Sequence, residues 1–383
     1  MEILFVTHKY PPVTGGMEKQ SFELINGMKT HIKVHAIVYE GQESKITFFR
    51  LLNQRIRQVC KTNPGISIIH FNDGLIAAFS LFHTGYAHLK QCVTLHGLDV
   101  VYPNWIYQQY ILPKFNRFDL IIAVSEATAE ACRIRGILKE NIAVVNNGVD
   151  TQIRPSAIRD KVDLLLRYNY HVESKGRRLL VAMGRPVKRK GFSWFIKNVS
   201  PSLHHDFLFL LIGPVSKKKK LNFLSLLPPF IAKPISLFFG LPGDENAIEK
   251  LIAKPGSRNR VVRLGKLPFN DICSLLSVSD AFVMPNIDID GDMEGFGLVC
   301  LEAAMCGTKV IAAASGGITD AIHQDKNGVL LPPGNIPQWV NTINNLQEIQ
   351  TPLPADIISY TRTQFSWEKM ITDYLREFKK INW

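Results

Sequence analysis

Two α/β domains, each a doubly wound parallel sheet, are predicted by three observations. The chain has 383 residues, more than one hydrophobic core usually serves. Short, nearly continuous apolar runs rich in β-branched residues alternate with segments of helical character, the pattern of parallel strands covered on both faces. These runs form two series, and the polar stretch 150–175 separates them.

The first series is Ile3–Thr7, Val34–Tyr39, Ile66–Phe71, Val93–His96, Leu120–Val124 and Ile142–Val145. The second is Leu179–Met183, Phe207–Ile212, Val261–Leu264, Ala281–Met284, Val310–Ala313 and Val329–Leu331. The expected division is an N-terminal domain over 1–170 and a C-terminal domain over 171–355, with ligands at strand C-terminal ends in a cleft between them. Residues 356–383 carry Tyr360, Phe365, Trp367, Tyr374, Leu375 and Phe378. They are predicted to form a closing amphipathic helix that packs back towards the N-terminal domain.

Hydrophobic residues make up 46% and charged residues 20% of the chain, which excludes a disordered class. The net charge of +12 is spread over both halves. It favours phosphates, nucleic acid or an anionic membrane face as partners, and its sign cannot choose among them. Nucleic acid is set aside because no recognition motif with interleaved aromatics accompanies the charge. The first ten residues read as a strand rather than a secretory leader, so a cytoplasmic location is expected. Six scattered cysteines without a Cys-x-x-Cys pair read as packing thiols.

Between Ile212 and Val261 lies a stretch too long for a minimal βαβ unit, with Lys217–Lys220 followed by the apolar run Leu221–Pro242. Lys233, Pro228, Pro229 and Pro234 argue against a membrane-spanning helix. A surface insertion is expected, as a capping loop or oligomer contact in preference to a peripheral contact with anionic membrane.

The chemistry concentrates between Met284 and Gly317. An acidic loop with Asp288, Asp290 and Asp292 leads into Glu294-Gly295-Phe296-Gly297-Leu298, and Glu302 follows. A helix is predicted to begin near Phe296 or Gly297. Its glycines would let a phosphate approach unpaired N–H groups at the positive end of the helix dipole. Glu294 would then sit in the loop and Glu302 along the helix, one at a reactive sugar and one at a vicinal diol. The alternating aspartates lack the further ligands of a calcium loop, so no metal is expected there. No Gly-x4-Gly-Lys-[Ser/Thr] loop is present, and Gly295–Cys300 lacks the third glycine of a dinucleotide fingerprint, which excludes those phosphate-binding classes.

The Glu294-x7-Glu302 segment resembles the signature of family-4 retaining glycosyltransferases of the GT-B fold, with two Rossmann-like domains. Further matches extend over nearly the whole chain. Pro11–Gly16 resembles the family's first glycine loop, with Gly15 and Gly16 beside the donor diphosphate. His96-Gly-Leu-Asp99 resembles its active-site histidine loop, and Ser125-Glu126 and Asn146–Asp150 resemble its interior landmarks. Gly184-Arg185-Pro-Val-Lys188-Arg-Lys190-Gly191 resembles its Gly-Arg…Lys-Gly segment.

The resemblance implies His96, Arg185, Lys190 and Glu294 as catalytic residues. It implies donor binding by Gly15, Gly16, Gly184, Lys266, Gly295, Phe296, Gly297, Leu298 and Glu302. Arg185 and Lys190 would face the leaving diphosphate, where charge accumulates. Taken without the resemblance, Lys188–Lys190 reads equally as a solvated charge run, and Gly15-Gly16 as a turn. The implied activity is transfer of a hexose from a GDP- or UDP-linked donor to a glycan or lipid-linked acceptor, without cofactor or metal. The alternative is a non-catalytic nucleotide-sugar-binding partner subunit.

Overall fold

A computed structural model describes residues 1–153, 157–215, 243–257, 259–348 and 352–382. The stretch 216–242, which holds the expected surface insertion, lies outside the described residues. The chain divides into two compact units, Met1–Gly148 with Phe365–Trp383, and Val149–Gln364.

The N-terminal unit is built on strands β1 (Glu2–Thr7), β2 (Lys33–Val38), β3 (Ile66–Phe71), β4 (Lys90–Leu95), β5 (Leu120–Ala123) and β6 (Ile142–Val144). They form one sheet in the order β2-β1-β3-β4-β5-β6, and every pair is parallel. The second unit repeats the plan with β7 (Arg178–Met183), β8 (Phe207–Ile212), β9 (Val261–Gly265), β10 (Ala281–Met284), β11 (Val310–Ala313) and β12 (Val329–Leu331). Its order is β12-β11-β10-β7-β8-β9, again parallel throughout. All twelve apolar runs are strands, because buried central strands need apolar side chains on both faces.

Each sheet reverses its winding once, between β1 and β3 in the first unit and between β7 and β10 in the second. Loops at the C-terminal ends of such strands diverge and leave a crevice, the usual ligand position in open α/β sheets.

The C-terminal segment is two helices, Pro354–Gln364 and Trp367–Ile381. Phe365 and Ser366 separate them, and the Ser366 hydroxyl caps the second by accepting the Lys369 N–H at 3.0 Å. The second helix belongs to the N-terminal unit and lies against helix Gly16–Met28. A Cβ on Gly27 would stand 2.0 Å from Ile371 Cδ1, so any larger residue would push the two helices apart. The buried Tyr374 hydroxyl bonds Gln20 at 3.1 Å and Thr94 at 2.9 Å, and Phe378 packs edge-on to Phe5. The core of the second unit gathers Phe195, Phe209 and Trp339 on the sheet residues Leu180 and Leu211.

Candidate functional site

In the second unit, the loops after β7 and β10 meet at the winding reversal. After Met183 the chain passes Gly184 and Arg185 into a tight turn, Lys188–Lys190, and then through Gly191 into helix Phe192–Asn198. Gly191 has φ +66°, and a Cβ there would fall 1.8 Å from the Pro285 carbonyl oxygen. Only glycine allows this approach. The Ile287 N–H donates to the Arg189 carbonyl at 2.9 Å, which stitches the basic turn to the acidic loop.

This contact turns two of the three cations inward. Lys190 Nζ lies 2.9 Å from Glu294 and Arg189 Nε 3.2 Å from the same carboxylate. Arg189 also reaches Asp292 at 3.2 Å, and Asn286 Nδ2 donates to Glu294 at 3.4 Å. Two cations and two carboxylates form a quartet without net charge. Burial by itself would raise the Glu294 pKa, but Lys190 and Arg189 outweigh it and hold the group at about 2. Burial likewise disfavours the Arg189 charge, and Glu294 and Asp292 overcome this and raise its pKa. Both groups are therefore ionised at neutral pH.

The Glu294 backbone is clamped from a third loop. The Gly317 N–H donates to its carbonyl at 2.9 Å, and Gly316, at φ +54°, packs so close that a Cβ would stand 2.6 Å from that oxygen. Gly295 and Phe296 follow, with Phe296 buried. Gly297 precedes helix Leu298–Met305, whose first turn has no side-chain cap. The helix thus begins one residue beyond the predicted Gly297, and its first N–H groups are available to an anion.

Glu302 lies on this helix, partly exposed. The Cys300 thiol is pushed up by burial, with the charges of Glu294 and Glu302 adding to the shift and Lys190 opposing it. All three groups therefore lie within electrostatic reach of one sulfur.

Arg185, Lys188 and Lys266 are exposed, with no ion pair to another of the described residues. They stand at the ends of β7 and β9, so the same edge of the sheet carries a neutral, half-buried quartet and exposed surface cations. Arg189, Asp292 and Asn286 are site residues that sequence reasoning missed. The available signal was three consecutive cations in a short turn, of which a turn can leave only some in solvent. Asp288 accepts the Ser315 hydroxyl at 2.6 Å and Asp292 pairs with Arg189, so these carboxylates are engaged by protein groups.

The N-terminal unit has its own polar edge. Gly15 and Gly16 are exposed at the start of helix Gly16–Met28, which has no side-chain cap. Glu18 folds back over Gly15, where a Cβ would lie 2.3 Å from its Oε2. His96 Nε2 donates to the Asn72 carbonyl at 3.0 Å, which leaves Nδ1 as the ring's acceptor when the imidazole is neutral. The His96 N–H and the Gly74 N–H both donate to Asp99, tying the loops after β3 and β4 together. His8 and Asp73, also missed in sequence, pair at 3.0 Å with both side chains buried.

The family model for glycosyl transferases group 1 matches residues 169–364, and that for glycosyltransferase family 4 matches residues 4–153. A putative colanic acid biosynthesis glycosyltransferase, WcaL of Escherichia coli K12, is 22% identical over 78% of this chain and 65% of its own length. WcaL of Salmonella typhimurium is 23% identical over 81% of this chain and 66% of its own, so the chain spans just under two thirds of these relatives. An uncharacterized glycosyltransferase of Methanocaldococcus jannaschii, MJ1178, is 23% identical over 100% of this chain and 99% of its own. Among solved structures, Anabaena Alr3699/HepE in complex with UDP and glucose superposes with TM-score 0.73 at 19% identity, covering 99% of this chain and 100% of that one. WaaG, a glycosyltransferase involved in lipopolysaccharide biosynthesis, gives 0.62 at 17% identity over 97% and 98%. These superpositions establish the GT-B fold, and the family matches together run through both units. The chain belongs to the glycosyl transferases group 1 family.

Proposed function

We propose that this protein transfers a hexose, with retention of anomeric configuration and without a metal, from a GDP- or UDP-linked donor to a glycan or lipid-linked acceptor of surface polysaccharide or glycolipid synthesis. The observation that carries this reading is the quartet of Arg189, Lys190, Asp292 and Glu294 beside the exposed Arg185 and Lys266. A leaving diphosphate gains charge as the sugar bond breaks, and fixed cations at that position stabilise it most in the transition state. Lys190 spends one donor on Glu294 and keeps others for a phosphate oxygen; Arg185 offers a planar fork. These two replace the charge a metal would supply.

Glu294, held ionised by two cations, is a weak nucleophile and carries no proton to give at neutral pH. This favours same-face attack, with the departing phosphate taking the acceptor's proton and Glu294 orienting the sugar. Glu302 would hold the ribose diol and the first turn at Leu298 the phosphates, with Gly184 and Lys266 lining the nucleotide. Gly15, Gly16 and His96 would serve the diphosphate and acceptor side. The named ligands of HepE, UDP and glucose, and the colanic acid assignment of WcaL support this substrate class.

Calorimetric titration of GDP and UDP into the protein and into Glu302→Ala tests the donor site. One nucleotide should bind preferentially, about tenfold more weakly in the variant, as loss of hydrogen bonds to a charged group implies. Binding of neither by the folded protein would overturn the reading.

A further inference from the structure

The helix that carries Glu302 ends against a neighbouring helix, and the contact pairs two thiols. Helix Leu298–Met305 closes at Cys306, and Gly307, at φ +76°, turns the chain away. The Gly307 N–H donates to the Ala304 carbonyl at 2.9 Å and the Thr308 N–H to that of Ala303 at 3.2 Å, a left-handed glycine stop that fixes the last residues of the helix. Thr308 is buried, and its hydroxyl donates to the Leu276 carbonyl of helix Phe269–Ser277 at 2.7 Å. Leu276 and Cys273 lie three residues apart, on one face of that helix. The two segments are thus held side by side, and the Cys273 and Cys306 thiols are hydrogen-bonded.

The pair is unequal. Cys306 is buried, whereas Cys273 is half-buried. The hydrogen bond with Cys273, and then burial, hold the Cys306 thiol well above its ordinary pKa. Cys306 therefore keeps its proton at neutral pH, and a reagent from solvent meets Cys273 first. Cys92, Cys132 and Cys300 are buried, and Cys300 donates to Met284 Sδ at 2.9 Å.

We propose that Cys273 and Cys306 are a thiol–disulfide exchange site for a small disulfide such as oxidised glutathione, and that the bond they form staples the segment holding the acidic half of the candidate site. The Cys273 thiolate attacks one sulfur of the small disulfide, whose S–S bond breaks and whose other half leaves as a thiolate. Cys306 then attacks Cys273 in the mixed disulfide and displaces the second half. Each departing thiolate takes up the proton given by a protein thiol. Two protein thiols are oxidised and one small disulfide is reduced to two thiols. Thiols already in contact need little backbone movement to join. The chain between them, 274–305, includes Asn286, Asp292, Glu294 and Glu302. Closing it into a loop removes freedom from the unfolded chain, so the bond protects that segment from unfolding. A reducing compartment leaves the thiols as they are, and the staple closes when small disulfides accumulate. The site uses no nucleotide and stands apart from the proposed transfer.

Mass spectrometry tests this on the whole reduced protein after exposure to oxidised glutathione, alkylation of the remaining thiols and digestion. A peptide cross-linked through Cys273 and Cys306 should dominate, and dithiothreitol should restore both thiols. The oxidised protein should unfold at a urea midpoint higher by about 1 M, from closure of a loop of this length. Cys273→Ser, which keeps a hydrogen-bonding group against Cys306, should fold, form no cross-link and gain nothing from oxidation, while Cys60→Ser should behave like the parent. Glutathione retained on Cys273 without a cross-link, a cross-link through any other cysteine, or both thiols left unreacted overturns the exchange site. A cross-link that leaves the midpoint unchanged, or lowers it, overturns the staple.

Discussion

The two units share one plan, six parallel strands with a single reversal of winding, yet their polar residues work in opposite ways. In the second unit the reversal carries a half-buried set of full charges, Arg189 and Lys190 against Asp292 and Glu294. In the first, the buried polar groups form a network of mostly neutral hydrogen bonds. His70 Nε2 bonds Thr94 at 2.9 Å, Asn72 donates to Gln20 at 2.8 Å and Ser21 at 2.6 Å, and Tyr374 joins from the C-terminal helix. Burial holds the His70 pKa down at about 3, so this ring is uncharged. Fixed ions suit a charged diphosphate, whereas neutral donors and acceptors suit a scaffold beneath a site for hydroxyls.

The comparison breaks most visibly at Arg189. Arg189→Met leaves Asp292 without its cation and Glu294 with one, and in this half-buried setting the loss should approach the about 3–5 kcal/mol of a fully buried pair without reaching its upper end. Urea unfolding should show that loss. A variant as stable as the parent would mean that the quartet is solvated. Next in size, Glu294→Ala should lower turnover about 10²–10³-fold, the scale of a lost transition-state contact. Arg185→Ala should do the same without a change in stability, because Arg185 is exposed. Steady-state kinetics on matched, folded samples checks both losses, and urea unfolding separates the two variants.

The smallest effect is in acid, and it orders the units. His70 has a folded pKa below its ordinary 6.5, so the unfolded chain binds the proton first. Its contribution is complete above about 6.5 and is lost as pH falls towards 3. Glu294 is depressed from 4.5 to about 2, and its contribution is lost only as pH falls through that lower window. His70→Gln should therefore flatten the dependence of stability on pH between about 6.5 and 4.5, and an unchanged slope would show that His70 charges freely in the fold.

Much of this was legible from residues in order. The twelve strands announce themselves because a buried parallel strand needs apolar side chains on both faces, a local requirement. Gly295–Leu298 marks a helix start for a similar reason, since glycine and the missing cap are local features. The inward turn of Arg189 was not legible. Its partner Glu294 lies 105 residues away, and in sequence Lys188, Arg189 and Lys190 are equivalent cations. Nor do His8 and Asp73, 65 residues apart, show any spacing that links them. The segment after Pro354 reads as one aromatic helix, and only the cap at Ser366 divides it.

The sequence by itself therefore determined the fold class and the two-unit plan and pointed to the loops of the candidate site, because hydrophobic periodicity and glycine placement act over a few residues. Tertiary structure alone decided which charged side chains are buried and which stay in water. A buried ion is tolerated only where an opposite charge meets it, and that meeting is arranged by strand order and by glycines such as Gly191 and Gly316, which let loops from distant parts of the chain touch backbone to backbone.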